Sequence, residues 1–210
     1  MSVTDYSVRL VGREFIRDFT EDWHYSGSIN GVMSDFCFGL YDKGNLIGAI
    51  IYGRIAMASV WKKYADSEDE IIELRRLCCI DDTPKNTESY FIGQTLKWLI
   101  HNTLYERVIS YADPNFGHEG IVYQATNFDY HGTTQGGKVI IYGEGRYHDK
   151  TIRTKYKGKL KPFASKIKKA LETGDAYYEK TEGKHIYLYD LDLRRSNQEK
   201  DRIEILWRGL

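Results

Sequence analysis

The order of elements predicts an α/β fold, a mixed central β-sheet flanked by helices on both faces. Three observations carry this reading. Two apolar runs joined by Asp42-Lys43-Gly44-Asn45 form a hairpin, because such a turn needs residues that tolerate positive φ. An apolar strand over 71–80 is followed by a polar loop and by a helix with apolar residues at Ile92, Leu96, Leu99 and Ile100. A further strand over 108–112 then completes a βαβ unit and runs into a Gly-rich turn.

Taken in order, the alternation over 6–10 reads as a first strand. Residues 14–23 place Phe15, Ile16, Phe19 and Trp23 on one helical face. The segment 24–31, His-Tyr-Ser-Gly-Ser-Ile-Asn-Gly, is rich in turn formers and is loop. Strands over 35–41 and 46–52 flank the hairpin turn. Residues 57–64 form a short helix or turn. The strand over 71–80 has Glu73, Arg75 and Arg76 set into its apolar run. The loop 81–87 leads into the helix over 88–104. Strands are expected over 138–142 and 184–189, with a helix over 163–171 between them. The tail is highly charged after Arg194 up to an apolar patch at 203–207, which either docks on the domain or ends in a short helix. The catalytic core is expected over 1–145, with a basic C-terminal portion over 146–210 completing the same domain as an extension.

The stretch from Val108 to Tyr130 organises the rest. Its strand ends in Tyr111-Ala112-Asp113, Pro114 stops the ladder, and Gly117 and Gly120 allow tight turns or close approach to a ligand. A carboxylate at the C-terminal end of a strand lies where α/β sheets bind ligands. The plainer alternative is an ordinary turn whose Asp caps the following helix. Tyr111, Asp113, His118, Glu119 and Tyr123 gathered in one turn are harder to explain as packing.

Composition sets limits. A chain of 210 residues with 41% hydrophobic and 29% charged residues is a globular protein of about one domain. It has no apolar run near the roughly 20 residues that span a bilayer and no signal-peptide pattern at its start, so a cytosolic protein is expected. The three cysteines, Cys37, Cys78 and Cys79, make neither a disulfide framework nor a zinc spacing, and read as buried thiols. Formal net charge is zero, which argues against nucleic acid until its distribution is considered. From Arg146 to Lys169 there are ten Lys or Arg against one Asp, interleaved with Tyr147, Tyr156 and Phe163. That pattern suits phosphate contacts by Arg146, Lys150, Arg153, Lys155, Lys157 and Lys159 on double-stranded DNA, and it equally suits a solvated lysine face. The 17 tyrosines serve stacking on a base or packing in a sheet.

The element order is that of the N-acetyltransferase-like (GNAT) fold. There a long strand, a loop and a helix N-terminus hold the pyrophosphate of coenzyme A, since free N–H groups and the helix dipole attract anions. The corresponding place here, Arg75 to Ser89, has no Gly-rich loop, which counts against coenzyme A. Four pieces are more specific: His24-Tyr25, the strand Glu73-Leu74-Arg75-Arg76-Leu77-Cys78-Cys79, the loop–helix PKNTESYFIGQTLKWL, and ADPNFGHEGIVYQATNFDYHG. Together, over roughly 23–153, they resemble the Mom family of DNA-modification proteins. The resemblance implies a GNAT-like fold that has left acetyl transfer and converts adenine in DNA to an N6-carbamoylmethyl derivative, shielding phage DNA from host restriction in the host cytoplasm. It further implies an association with iron and catalytic residues at His24, Tyr25, Asp113 and Tyr123. The Arg and Ser of a cofactor-like pocket fall on Arg76 and Ser89. The donor of the added group is not legible in the chain.

The chemistry of these residues can be weighed separately. Two phenolates and a carboxylate, from Tyr25, Asp113 and Tyr123, are hard oxygen ligands that suit Fe(III). His24 then serves as a fourth ligand or a general base, with His118 as its substitute. Alternatively Tyr25 and Tyr123 are half-buried aromatics bonded to Asp113. Adenine N6 chemistry requires the base to leave the duplex, with Tyr90, Tyr111 or Tyr130 available to sandwich it. Two other functions share this fold: an acetyl-coenzyme A-dependent acyltransferase on a small amine or protein, and a non-catalytic DNA-binding anti-restriction protein. Oligomeric state stays open between monomer and homodimer.

Overall fold

The computed structural model describes residues 2–57, 59–153, 155–195 and Ile203. β1 (Ser7–Val11) leads into α1 (Arg13–Trp23), and after a long loop β2 (Phe36–Asp42) and β3 (Asn45–Gly53) form the expected hairpin. Its turn residues Lys43 and Gly44 both take positive φ, 48° and 90°, so the turn twists with its strands. A short α2 (Trp61–Tyr64) precedes β4 (Ile71–Cys79), α3 (Thr87–Asn102) and β5 (Arg107–Ala112). α4 (Ile121–Gln124) is a single turn, followed by β6 (Asp129–Thr133).

The chain then builds β7 (Gly137–Tyr142), β8 (Gly145–His148), the two-residue strands β9 (Lys155–Tyr156) and β10 (Lys159–Leu160), α5 (Pro162–Thr173) and β11 (Ala176–Thr181). It returns as β12 (His185–Asp190). The main sheet has seven strands in the order β1-β2-β3-β4-β5-β12-β6. β4 and β5 pair in parallel, as a βαβ crossover through α3 demands, whereas β1–β2, β2–β3, β3–β4 and β5–β12 are antiparallel.

Alternation along β3 explains why both faces of this sheet are covered. Ile50 and Tyr52 point to one side with Phe38, Ile72, Leu74, Phe91, Leu96 and Leu99, forming the larger core under α3. Ala49 and Ile51 point to the other, with Ile16, Ile29, Cys37 and Cys78 under α1. Ile71, Ile109 and Ile186 continue that second face beneath Trp61 and Tyr64. Each fully buried Ile or Leu contributes about 1.5–3 kcal/mol. The Tyr52 hydroxyl, buried between layers, is within 2.8 Å of Thr95 Oγ1, which satisfies a polar group that would otherwise destabilise the core. None of the described helices is long and apolar enough to cross a membrane.

The chain divides into two compact units. The first holds residues up to Ala112, Glu119–Gly132 and the chain from His185 on, and contains the seven-stranded sheet. The second holds Asp113–His118 and Thr133–Lys184. In it β11-β7-β8 form a three-stranded sheet, and Ile140 and Ala176 pack on Ile167 and Ala170 of α5. The basic run expected as a C-terminal extension lies within this second unit, between β6 and β12 in sequence. The units therefore cut across the expected division at 145/146. β6 and β8 to β11 were not foreseen, whereas the helix over 163–171 appears as α5. Of the apolar patch expected at 203–207, only Ile203 is described and it is buried; the rest lies outside the described residues.

Candidate functional site

The first unit opens where β4 and β5 part. They pair only from Ile71↔Arg107 to Leu74↔Ser110. Beyond Leu74, β4 carries a bulge: Arg76 faces Ile51 and Leu74 faces Tyr52, leaving Arg75 as the extra residue. β5 continues to Ala112 paired instead with β12. The parting strands leave a gap in the sheet, with Leu74 and Ser110 at its edge.

Tyr123 reaches the gap from α4, on the α3 side. It is buried, stacked between Phe128 and Tyr187 at centroid distances of 5.4 and 5.3 Å. Its hydroxyl bonds the Ser110 side chain, whose Oγ donates to Leu74 O at 3.2 Å. Burial pushes the Tyr123 phenol up to about 12, the Ser110 bond offsets part of this, and nearby Tyr25, Glu88 and Glu73 add to it. Tyr123 is thus a neutral hydrogen-bond donor at physiological pH. Gly120 makes this placement possible: at φ 75° its absent side chain lets the Tyr187 ring approach to where a Cβ would stand 2.2 Å away.

His24 and Tyr25 follow α1. Arg13 fastens their loop by donating to the carbonyls of Val32 and Ile29. The His24 ring is nearly buried, and the Ser26 N–H donates to its Nδ1 at 3.1 Å with Ser26 Oγ at 2.8 Å. An Nδ1 that accepts leaves the neutral ring's proton on Nε2, so its other edge is a donor. That geometry disfavours the general base or metal ligand expected of it. The Tyr25 ring lies 4.3 Å from His24 and is 47% exposed. Tyr25 stands in the neighbourhood of both Arg76 and Tyr123.

Ser89 and Arg76, expected in one cofactor pocket, occupy different places. Ser89 lines a cavity of about 440 Å³ at the start of α3, with Thr83, Lys85, Thr87 and Glu88 and with Val122 opposite. The missing Gly-rich loop is therefore not missing room, and the doubt it raised about coenzyme A gains no support. Arg76 is not part of that lining. Its register with Ile51 sets it on the α1 face. Burial lowers its pKa, Nη1 donates to Arg75 O at 2.7 Å, and Nε is buried without a partner among the described residues.

Asp113 belongs to the second unit and caps the turn Pro114–Phe116. Oδ1 accepts from Asn115 N at 3.1 Å and Asn115 Nδ2 at 2.8 Å, and Oδ2 pairs with Lys184 Nζ at 3.0 Å. Burial alone would raise its pKa, but the bonds to Asn115 and Lys184 prevail and hold it below the ordinary carboxylate value. Asn115 also exchanges hydrogen bonds with the Glu182 backbone, 67 positions away. Lys184 and the reach of Asn115 to Glu182 escaped the sequence reading, since separations this long leave no local signal.

The basic residues fall in the second unit. Arg146 pairs with Glu179 at 3.1 Å and Arg153 with Asp149 at 2.6 Å, so part of their charge is committed. Lys150, Lys155, Lys157 and Lys159 are exposed, the last three on or beside the β9–β10 hairpin. His118 is exposed in its turn. Of the tyrosines considered for stacking, Tyr90 donates to Tyr6 O, and Tyr111 is half-buried with its pKa raised by burial. Tyr130 is 54% exposed, its hydroxyl 3.1 Å from His185 Nδ1.

Among the described residues no cluster of three His, Cys, Asp or Glu could hold a metal. The oxygen donors named for iron do not fit it as they stand. The Tyr123 hydroxyl is neutral and bonded to Ser110, and both Asp113 oxygens are engaged by Asn115 and Lys184. The structure thus lends no support to the iron expected from the resemblance and from the hard oxygen donors.

Comparison with known proteins agrees with the motifs. The Mom protein family matches residues 5–204. The "Methylcarbamoylase mom" of Escherichia phage Mu is 32% identical over 125 residues, which cover 57% of this chain and 51% of that one. The alignment thus spans about half the length of that curated relative. Among solved structures, Arabidopsis thaliana NAA60 in complex with acetyl-CoA matches with a TM-score of 0.50 at 10% identity, over 88% of this chain and 98% of that one. A spermidine N-acetyltransferase from Vibrio cholerae gives 0.49 at 10% identity, over 90% and 95%. At such identity the likeness speaks for the fold alone, which is GNAT-like.

Proposed function

Because the chain belongs to the Mom protein family, we propose that it is a DNA-modifying transferase that places a carbamoylmethyl group on N6 of adenine. In this reading it acts on phage DNA in the host cytoplasm and protects it from restriction. The observation that carries the reading is the match of residues 5–204 to that family, with the buried Tyr123 standing by Ser110, where the β4–β5 pairing ends.

The reaction joins the adenine exocyclic nitrogen to the CH2 of a donor X–CH2–C(O)NH2. A C–N bond forms, the C–X bond breaks, X departs with the electron pair, and one N6 proton is released to it. Tyr123, kept neutral by burial, hydrogen-bonds the departing X or the amide oxygen as charge develops. His24 offers an Nε2–H donor from a ring fixed by Ser26. The target base leaves the duplex, which costs a few kcal/mol, and the exposed rings of Tyr25 and Tyr130 offer faces for stacking. Lys155, Lys157 and Lys159 contact phosphates.

The test is nucleoside mass spectrometry on plasmid DNA from cells expressing the chain. Deoxyadenosine heavier by one carbamoylmethyl group, absent with Tyr123→Phe and Asp113→Ala, is the expected result. Unmodified DNA from a well-folded protein sinks the proposal. One observation favours a second reading, an acyltransferase using acetyl-coenzyme A: the cavity at the α3 N-terminus, a natural anion site. Acetyl-coenzyme A binding that Ser89→Trp abolishes, with acetate appearing on an amine, would favour it.

A further inference from the structure

The bulge in β4 turns two consecutive arginines to one side of the sheet. Arg76 shares the face of Ile51, and Arg75 Nε lies 3.6 Å from Oε1 of Glu73 on that same face. Each guanidinium is anchored at one end, Arg75 Nη1 on Arg54 O at 2.7 Å and Arg76 Nη1 on Arg75 O at 2.7 Å. Each leaves a buried Nε without a hydrogen-bond partner among the described residues. Arg75 Nε still faces the Glu73 carboxylate, whereas Arg76 Nε has no such neighbour; a buried donor left unpaired costs about 1–3 kcal/mol, so the Arg76 edge calls for an occupant.

The charges specify that occupant. Among the described residues Glu73 is the carboxylate paired with these guanidiniums, and its Oε2 already accepts from Ala56 N–H at 2.9 Å. The surrounding Tyr25, Tyr64 and Tyr111 contribute hydroxyls and no formal charge, and the Cys78 thiol is pushed up to about 12 by burial. One positive charge is left to balance in a poorly solvated place. The Nε–Nη2 edge of an arginine matches the two oxygens of a carboxylate side by side.

We propose that Arg75 and Arg76 form a subsite for a small monoanionic carboxylate, seated on the Nε–Nη2 edge of Arg76. This site lies on the opposite face of the sheet from the Ser89 cavity and is distinct from it. Under the transferase reading, on which this last step rests, the leaving part X of the donor bears that carboxylate.

The probe is 13C-labelled acetate, titrated into the full chain at fixed ionic strength and followed by NMR, with inorganic phosphate and methylammonium run alongside. Saturable acetate binding is expected, weakened about tenfold or more by Arg76→Gln. Arg76→Lys, which keeps the charge but not the edge, should fall between, and Arg9→Gln on exposed β1 should change nothing. Acetate binding equal in wild type and Arg76→Gln, or phosphate bound in preference, overturns the subsite. Should Arg76→Gln misfold by circular dichroism, Arg76→Lys and Arg75→Gln give the decision. Acetate bound while DNA stays unmodified would sink the transferase reading and keep the subsite; modified DNA without acetate binding would do the reverse.

Discussion

Replacing Lys184 with Met isolates what holds Asp113. The Asp113 side chain is 8% exposed and that of Lys184 48% exposed, so the pair stands between two limits. A wholly buried pair loses about 3–5 kcal/mol when one partner goes, and an exposed pair at most about 1 kcal/mol. Because Asn115 keeps two bonds to Oδ1 and Lys184 is half in solvent, a loss of about 1–2 kcal/mol is expected at neutral pH. For a chain of this size that is a fall in Tm of roughly 3–6 °C. The sign with pH follows from the lowered pKa of Asp113. Its contribution is fully present above the unfolded value of about 3.9 and is lost as pH falls through the lower folded value. Thermal and urea melts of wild type and Lys184→Met should therefore differ at neutral pH and converge in strong acid. The same substitution made in an Asp113→Asn background should cost little. A gap that persists in acid, or that is equally large in the Asp113→Asn background, would show that Lys184 acts through something other than this carboxylate.

Changing Lys155, Lys157 and Lys159 together to Ala should lower the log–log salt slope of duplex binding by roughly 2–3, and an unchanged slope would remove the hairpin from the DNA interface. Gly120→Ala should cost about 2–4 kcal/mol, since it combines left-handed backbone with a Cβ 2.2 Å from the Tyr187 ring. Gly117→Ala, with φ 75° but nothing within 4 Å, should cost only about 1–2 kcal/mol; equal denaturation midpoints for the two would contradict the packing argument. Protein loaded with Fe(III) should show no phenolate-to-iron band in the visible. A colour bleached by Tyr123→Phe would mean that the metal displaces the Ser110 bond and makes Tyr123 a ligand.

Elements with strong apolar periodicity were legible, and those without it were not. β4, α3 and β5 carry near-continuous or helical apolar patterns because both faces of their sheet are covered. β11 reads Ala-Tyr-Tyr-Glu-Lys-Thr with only Ala176 buried, so no alternation announced it, and β9 and β10 lie inside a lysine-rich run. The Asp113 network closes across 67 positions or more, which no local pattern reports.

The instructive case is Arg76. Strict alternation along β4 would put it with Ile72 and Leu74, facing α3 and the Ser89 cavity, and so in one pocket with Ser89. The bulge at Arg75 reverses that parity: Arg76 turns to the α1 face beside Glu73, and Leu77 takes the α3 side. The sequence does hold a trace of this, because two consecutive arginines in a buried strand cannot both face solvent. With the parity reversed, the Ser89 cavity and the arginine pair become separate sites on opposite faces. The gap below Leu74, where Tyr123 and Ser110 stand, is then where groups bound on the two faces would meet.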